Sequence, residues 1–136
     1  MRTAFPLLVL AFAVTGCASF DGTRTANKEP LAADGVAWRH DYAAARKEAA
    51  DTGKPLFLDF GTEDCFYCKQ LDGATSQHTD IAATLNARFV PVKVDAHRFE
   101  SLTRAVGVQA FPTLVIAAPD GKVIDRHEGY VDAAGM

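Results

Sequence analysis

Cys65 and Cys68 are the residues of this chain whose types and spacing best suit chemistry. Two cysteines three apart on a helix face the same side, with Cβ atoms roughly 5–6 Å apart. A disulfide accepts Cα separations of about 4.4–6.8 Å. Such a pair can close and open with little backbone movement, as thiol–disulfide exchange requires. Just upstream, Asp59 is set into the apolar run Leu56–Phe60. An acid inside an apolar strand needs a partner or a use. Zinc would need two further ligands at suitable spacing, whereas His40, His78, His97 and His127 are scattered singly. Covalent haem attachment would need His after the second cysteine, and Lys69 stands there. Copper handling by two thiolates is chemically open, although no Met or His lies close to the pair in sequence.

The pair needs elements to position it. Trp38, Tyr42, Ala45 and Ala49 follow helical spacing, with Gly53 as a stop and Pro55 beyond. Leu56–Phe60 reads as a buried strand. A helix is expected from Cys65 to Asp72, broken at Gly73, and a second from Thr79 to Ala87. Phe89–Val94 is the next strand, in which Pro91 points to an edge or a bulge. A short helix over Phe99–Val106 should end at Gly107. Thr113–Ala118, the turn Pro119-Asp120-Gly121 and Lys122–His127 form a terminal hairpin. This order predicts an α/β fold with a mixed sheet of four or five strands and helices on both faces. Its strands run parallel where helices intervene and antiparallel in the hairpin.

The chain has 136 residues, enough for one domain with a core. Its net charge of −3 gives no reason to expect a nucleic-acid partner. Met1-Arg2 followed by the apolar run Ala4–Val14 reads as a secretory signal peptide. That run is too short for a membrane span, which takes about 20 residues. Val14-Thr15-Gly16-Cys17 resembles the lipobox of bacterial lipoproteins, in which the cysteine carries lipid. The alternative is an ordinary signal peptide whose cysteine is incidental. The expected organisation is a signal peptide over 1–16, a polar lipid-anchored linker over 17–30 and one domain over 31–136. Lipid on Cys17 would also account for the odd third cysteine. It would place the domain on the periplasmic side of a bacterial envelope. By the sorting rule of the lipoproteins that this segment resembles, the absence of Asp after Cys17 implies the outer membrane rather than the inner.

The segment Leu58-Asp59-Phe60-Gly61-Thr62-Glu63-Asp64-Cys65-Phe66-Tyr67-Cys68-Lys69 resembles the active-site segment of the thioredoxin-like superfamily. Val106-Gly107-Val108-Gln109-Ala110-Phe111-Pro112-Thr113-Leu114 resembles the loop of that family bearing a cis-proline. Pro119-Asp120-Gly121-Lys122 and Gly129 match its terminal hairpin and the glycine beyond. The wording around the cysteines looks most like an envelope branch, related to the C-terminal domain of the transmembrane thiol:disulfide interchange reductase.

The resemblance implies a thiol:disulfide oxidoreductase whose redox group is the Cys65–Cys68 disulfide, with no metal or organic cofactor. Cys65 would be the attacking thiolate, favoured by a helix N-terminus, and Cys68 the resolving cysteine. Asp59 would carry the proton of Cys68, and Lys93 matches the lysine that approaches this carboxylate. The alternative for Lys93 is a plain exposed strand lysine. Phe111, Pro112 and Thr113 would meet substrate at the cis-proline loop. Phe66 and Tyr67 stand where Gly-Pro is usual, as an apolar substrate rim or as simple surface aromatics. Asp64 stands where Trp is usual. With Glu63 it should raise the Cys65 pKa, which favours a reductant or a mid-potential exchanger over a strong oxidant. Val131–Met136 leaves the family's last helix missing or very short. The implied partners are protein thiols and disulfides and a membrane redox protein that recharges the pair. An oxidase or isomerase, or a non-catalytic binding lipoprotein with a structural disulfide, remains open.

Overall fold

The computed structural model describes residues 35–136; Cys17 and the segments expected over 1–16 and 17–30 lie outside the described residues. In chain order the elements are α1 (Tyr42–Thr52), β1 (Leu56–Gly61), α2 (Phe66–Gln77), α3 (Thr79–Arg88) and β2 (Val90–Asp95). Then come α4 (Glu100–Val106), β3 (Thr113–Ala117) and β4 (Val123–Glu128). The four strands form one sheet in the order β2-β1-β3-β4. β1 pairs parallel with β2, while β1–β3 and β3–β4 are antiparallel. This is a thioredoxin-like α/β architecture, with a mixed four-stranded sheet between helices.

Side-chain alternation along β1 sets up both faces. Leu56, Leu58 and Phe60 join Val90, Val92 and Val94 of β2 and Val115 of β3 beneath Ala45 and Ala49 of α1. On the other face Phe57 meets Leu71 of α2, Leu85 of α3 and Leu114 of β3. Asp59 and Lys93 are paired in the β1–β2 register. By alternation both fall on the Phe57 face, under α2.

The helical spacing that begins at Trp38 does not hold. Asp41 caps α1, its carboxylate accepting from the Ala44 N–H at 3.0 Å. Trp38 and Arg39 precede the helix, and Arg39 forms a β-bridge with Val92. Arg39 donates to Pro91 O and accepts from Lys93 N, both at 2.9 Å. Among the described residues this bridge to Val92 is all there is of a fifth strand. Trp38 and Tyr42 then pack on opposite faces of the sheet. The same bridge places Pro91 as its sequence suggests. β2 is an edge strand, and the side of Pro91 that lacks an N–H faces Arg39 rather than β1.

Gly73 does not break its helix. α2 runs through it to Gln77, and the chain turns at His78, with φ −107° and ψ 96°. Glycine inside a helix costs roughly 0.5–1 kcal/mol relative to alanine. Burial of Leu71 and Thr75 on either side outweighs that, and the Thr75 hydroxyl donates back to Leu71 O. Beyond β4 the described residues form turns and no helix. β4 is exposed along its whole length.

A β-carbon added at Gly73 meets nothing within 4 Å. Gly73→Ala should therefore stabilise the domain by about 0.5–1 kcal/mol, read as a higher urea midpoint at an unchanged m-value.

Candidate active site

β1 ends at Gly61 and the chain loops through Thr62–Asp64 into α2. Cys65 is the N-cap of that helix, its sulfur accepting from the Cys68 N–H at 3.1 Å. The two cysteines are joined as a disulfide with Cα atoms 5.2 Å apart. Position on the helix gives them different environments. Cys65 is partly exposed at the rim, whereas Cys68, one turn inside, is 7% exposed. Gly61 leaves room for it, since a β-carbon there would lie 3.1 Å from the Cys68 sulfur.

Cys68 opens onto a cleft of about 530 Å³ that also touches Asp59, Lys93, Asp72 and Trp38. Asp59 is 2% exposed. Its carboxylate takes a hydrogen bond from Lys93 Nζ at 2.5 Å. The same ammonium donates to Asp72 of α2 and sits 4.6 Å from the Trp38 ring centroid. Lys93 is thus no plain surface lysine. Burial pushes the Asp59 carboxyl above its usual 3.8; Lys93 works against that, and the negative charge of Asp72 adds a smaller upward push.

The Phe111–Pro112 bond is cis. Thr113 pairs with Phe60, which puts Pro112 at the end of the sheet where β1 enters the cysteine loop. Thr113 is fully buried, its hydroxyl donating to Ala110 O at 2.7 Å, and Pro112 O accepts from Gly129 N at 2.8 Å. Phe111 leans into the α1-side core. Phe66 and Tyr67 are largely exposed and meet edge to face with ring centroids 5.5 Å apart.

Sequence reasoning missed Asp72, Trp38 and Tyr130. Asp72 had a readable signal, because it lies one turn beyond Cys68 on the same helix face. The position of Trp38 over Lys93 depends on the Arg39 bridge to β2. Tyr130 comes from beyond β4, and its ring centroid lies 6.3 Å from that of Tyr67. Only the folded chain brings those rings together.

Residues 42–136 match the family model described as a thioredoxin-like domain. A solution structure of a candidate disulphide-isomerase from Bacteroides thetaiotaomicron is 34% identical, with a TM-score of 0.67 over 74% of this chain and 86% of that one. Protein disulfide isomerase-like 5-3 of Oryza sativa is 34% identical over 61 residues, 45% of this chain but only 14% of that protein. Thioredoxin-1 of Drosophila melanogaster is 34% identical over 70 residues, 52% of this chain and 62% of that protein. This chain therefore spans less than two thirds of either curated relative.

The raised Asp59 pKa fixes the sign of a pH effect. The folded state holds this proton more tightly than the unfolded state, so stability falls as pH rises from about 3.8 through the raised value. Asp59→Asn removes that loss. In urea unfolding of the oxidised protein, the variant should gain on the native chain between pH 4 and pH 8. Parallel stability curves would contradict this.

Proposed function

The chain belongs to the thioredoxin-like family, and from that premise we propose that it is a thiol:disulfide oxidoreductase acting on protein substrates, mainly in the reducing direction. The observation that carries the reading is the Cys65–Cys68 disulfide at the N-terminus of α2, with its inner sulfur facing the cleft of Asp59. A purely structural bridge has no need of a buried acid in the cleft that its inner cysteine lines.

The reaction begins with the Cys65 thiolate, favoured by the free N–H groups of the helix end. It attacks one sulfur of a substrate disulfide and expels the other as thiolate. A mixed disulfide then joins Cys65 to the substrate. Cys68 gives its proton to Asp59 and attacks the Cys65 sulfur, which releases the second substrate thiolate and closes the pair. A carboxylate with a raised pKa is suited to this transfer, because its proton affinity moves toward that of a thiol. Lys93 holds the carboxylate in place, and Asp72 anchors Lys93 from the cleft mouth. The cis-proline loop of Phe111, Pro112 and Thr113 offers backbone groups for extended pairing with substrate, and Phe66 and Tyr67 form an apolar rim.

The wider reading rests on the residues before the fold. The domain over 31–136 is held on the periplasmic side of a bacterial envelope by lipid on Cys17, after loss of the signal peptide 1–16 and through the linker 17–30. The outer membrane is favoured over the inner. A membrane redox protein returns electrons to the pair, as in the transmembrane reductase branch that the cysteine segment resembles. Two exposed acids before Cys65 oppose a strongly stabilised thiolate, which supports the reducing direction.

Protein beginning at Ser19 should reduce a model disulfide, and Cys65→Ala should abolish this. Cys68→Ala should accumulate mixed disulfides through Cys65, whose mass-spectrometric identification names the substrates. A native pair that stays oxidised at potentials below about −300 mV would be a structural bridge and would sink the proposal.

A further inference from the structure

Building on the exchange reaction above, we propose that the surface around Cys65 selects its protein substrates by charge and by aromatic contact. The preferred segment carries a Lys or Arg and a large apolar side chain beside its reactive cysteine.

Three rings form a continuous ridge next to the disulfide. Phe66, Tyr67 and Tyr130 are 66%, 55% and 42% exposed. Centroid distances of 5.5 and 6.3 Å link them in that order. None belongs to either core cluster. The first two open α2, whereas Tyr130 arrives from the far side of the terminal hairpin, so two separate segments build the ridge. Exposed rings of this kind supply large contact area at little cost in side-chain entropy.

Charge adds the second half. Glu63 and Asp64 are exposed and lead directly into Cys65. Among the described residues no ion pair takes either of them. Lys69, the cation of α2, leaves them in excess. A cationic residue beside the incoming cysteine would meet these acids while its apolar neighbour lies on the rings. A second copy of this chain fits less well, because a two-fold contact through the ridge would bring each pair of acids toward its own image.

The test uses the full chain in its dithiol form and three peptides, each presented as a symmetrical disulfide. Their cysteines are flanked by Arg and Phe, by Glu and Phe, or by Arg and Gly. In every reaction the protein dithiol becomes a disulfide and the peptide disulfide becomes two thiols. Rates are divided by the rate with neutral bis(2-hydroxyethyl) disulfide, which cancels any change in Cys65 thiolate population. At low salt the Arg–Phe peptide should exceed the Glu–Phe peptide by about five- to tenfold, with the ratio falling toward one at high salt. The double variant Glu63→Gln/Asp64→Asn should lose that ratio and keep the preference for Phe over Gly. Tyr130→Ala should do the reverse. A native charge ratio near one, a ratio that survives in the double variant, or a Phe preference untouched by Tyr130→Ala overturns the proposal. So does a dimer in sedimentation that Tyr130→Ala disperses, since the ridge would then join two copies. Loss of reaction with the neutral disulfide itself would instead strike at the oxidoreductase reading.

Discussion

The site depends on one buried interaction, the contact of Asp59 with Lys93. Placing a carboxylate at 2% exposure in a sheet face is costly unless it is paired or neutralised. The pair offsets that cost only in part, since desolvation still dominates the Asp59 proton affinity. Buried ion pairs are poor sources of stability. Replacing both partners with apolar residues is often neutral or stabilising, while removing one is often costly by about 3–5 kcal/mol. The fold therefore gains little from holding an acid here. What the arrangement does supply is a carboxyl of raised proton affinity lining one cleft with the inner sulfur of the disulfide.

The same strand makes the core and the site inseparable. Leu56, Leu58 and Phe60 anchor β1 in one apolar layer. Phe57 and Asp59 point the other way, toward α2. Parallel pairing with β2 then brings Lys93 beside Asp59 through register alone. A slip of one residue would turn Asp59 into the valine-rich layer and Phe60 toward the cleft. The hydrophobic pattern that specifies the fold thus also specifies where the buried carboxyl sits.

Much of this was legible in the chain because local signals agreed. Alternating apolar residues, glycine stops and turn residues placed every strand and most helices. Cys65, Cys68 and Asp59 announced themselves by spacing and by an acid in an apolar run. The failures share a cause, which is tertiary contact overriding local pattern. Trp38 fits helical spacing yet lies outside the helix, because Arg39 pairs with β2 and Asp41 caps the helix late. Gly73 fits a helix stop, yet buried Leu71 and Thr75 carry α2 through it. Tyr130 had no local signal, since its partner Tyr67 is remote in sequence and meets it only once the hairpin is folded.

Helix α2 divides the work of the site between its faces. Its inner face carries Cys68, Leu71, Asp72 and Thr75 against the sheet and cleft. Its first turn turns Phe66 and Tyr67 outward beside Cys65. Asp59 and Lys93 are held by the register of β1 and β2, so their positions tolerate little change. The outward rings and the acids before them pack in neither core cluster, so they can vary without repacking the fold. The surface beside Cys65 is therefore separable from the core, because Phe66 and Tyr67 project away from the face of α2 that carries Cys68, Leu71 and Thr75.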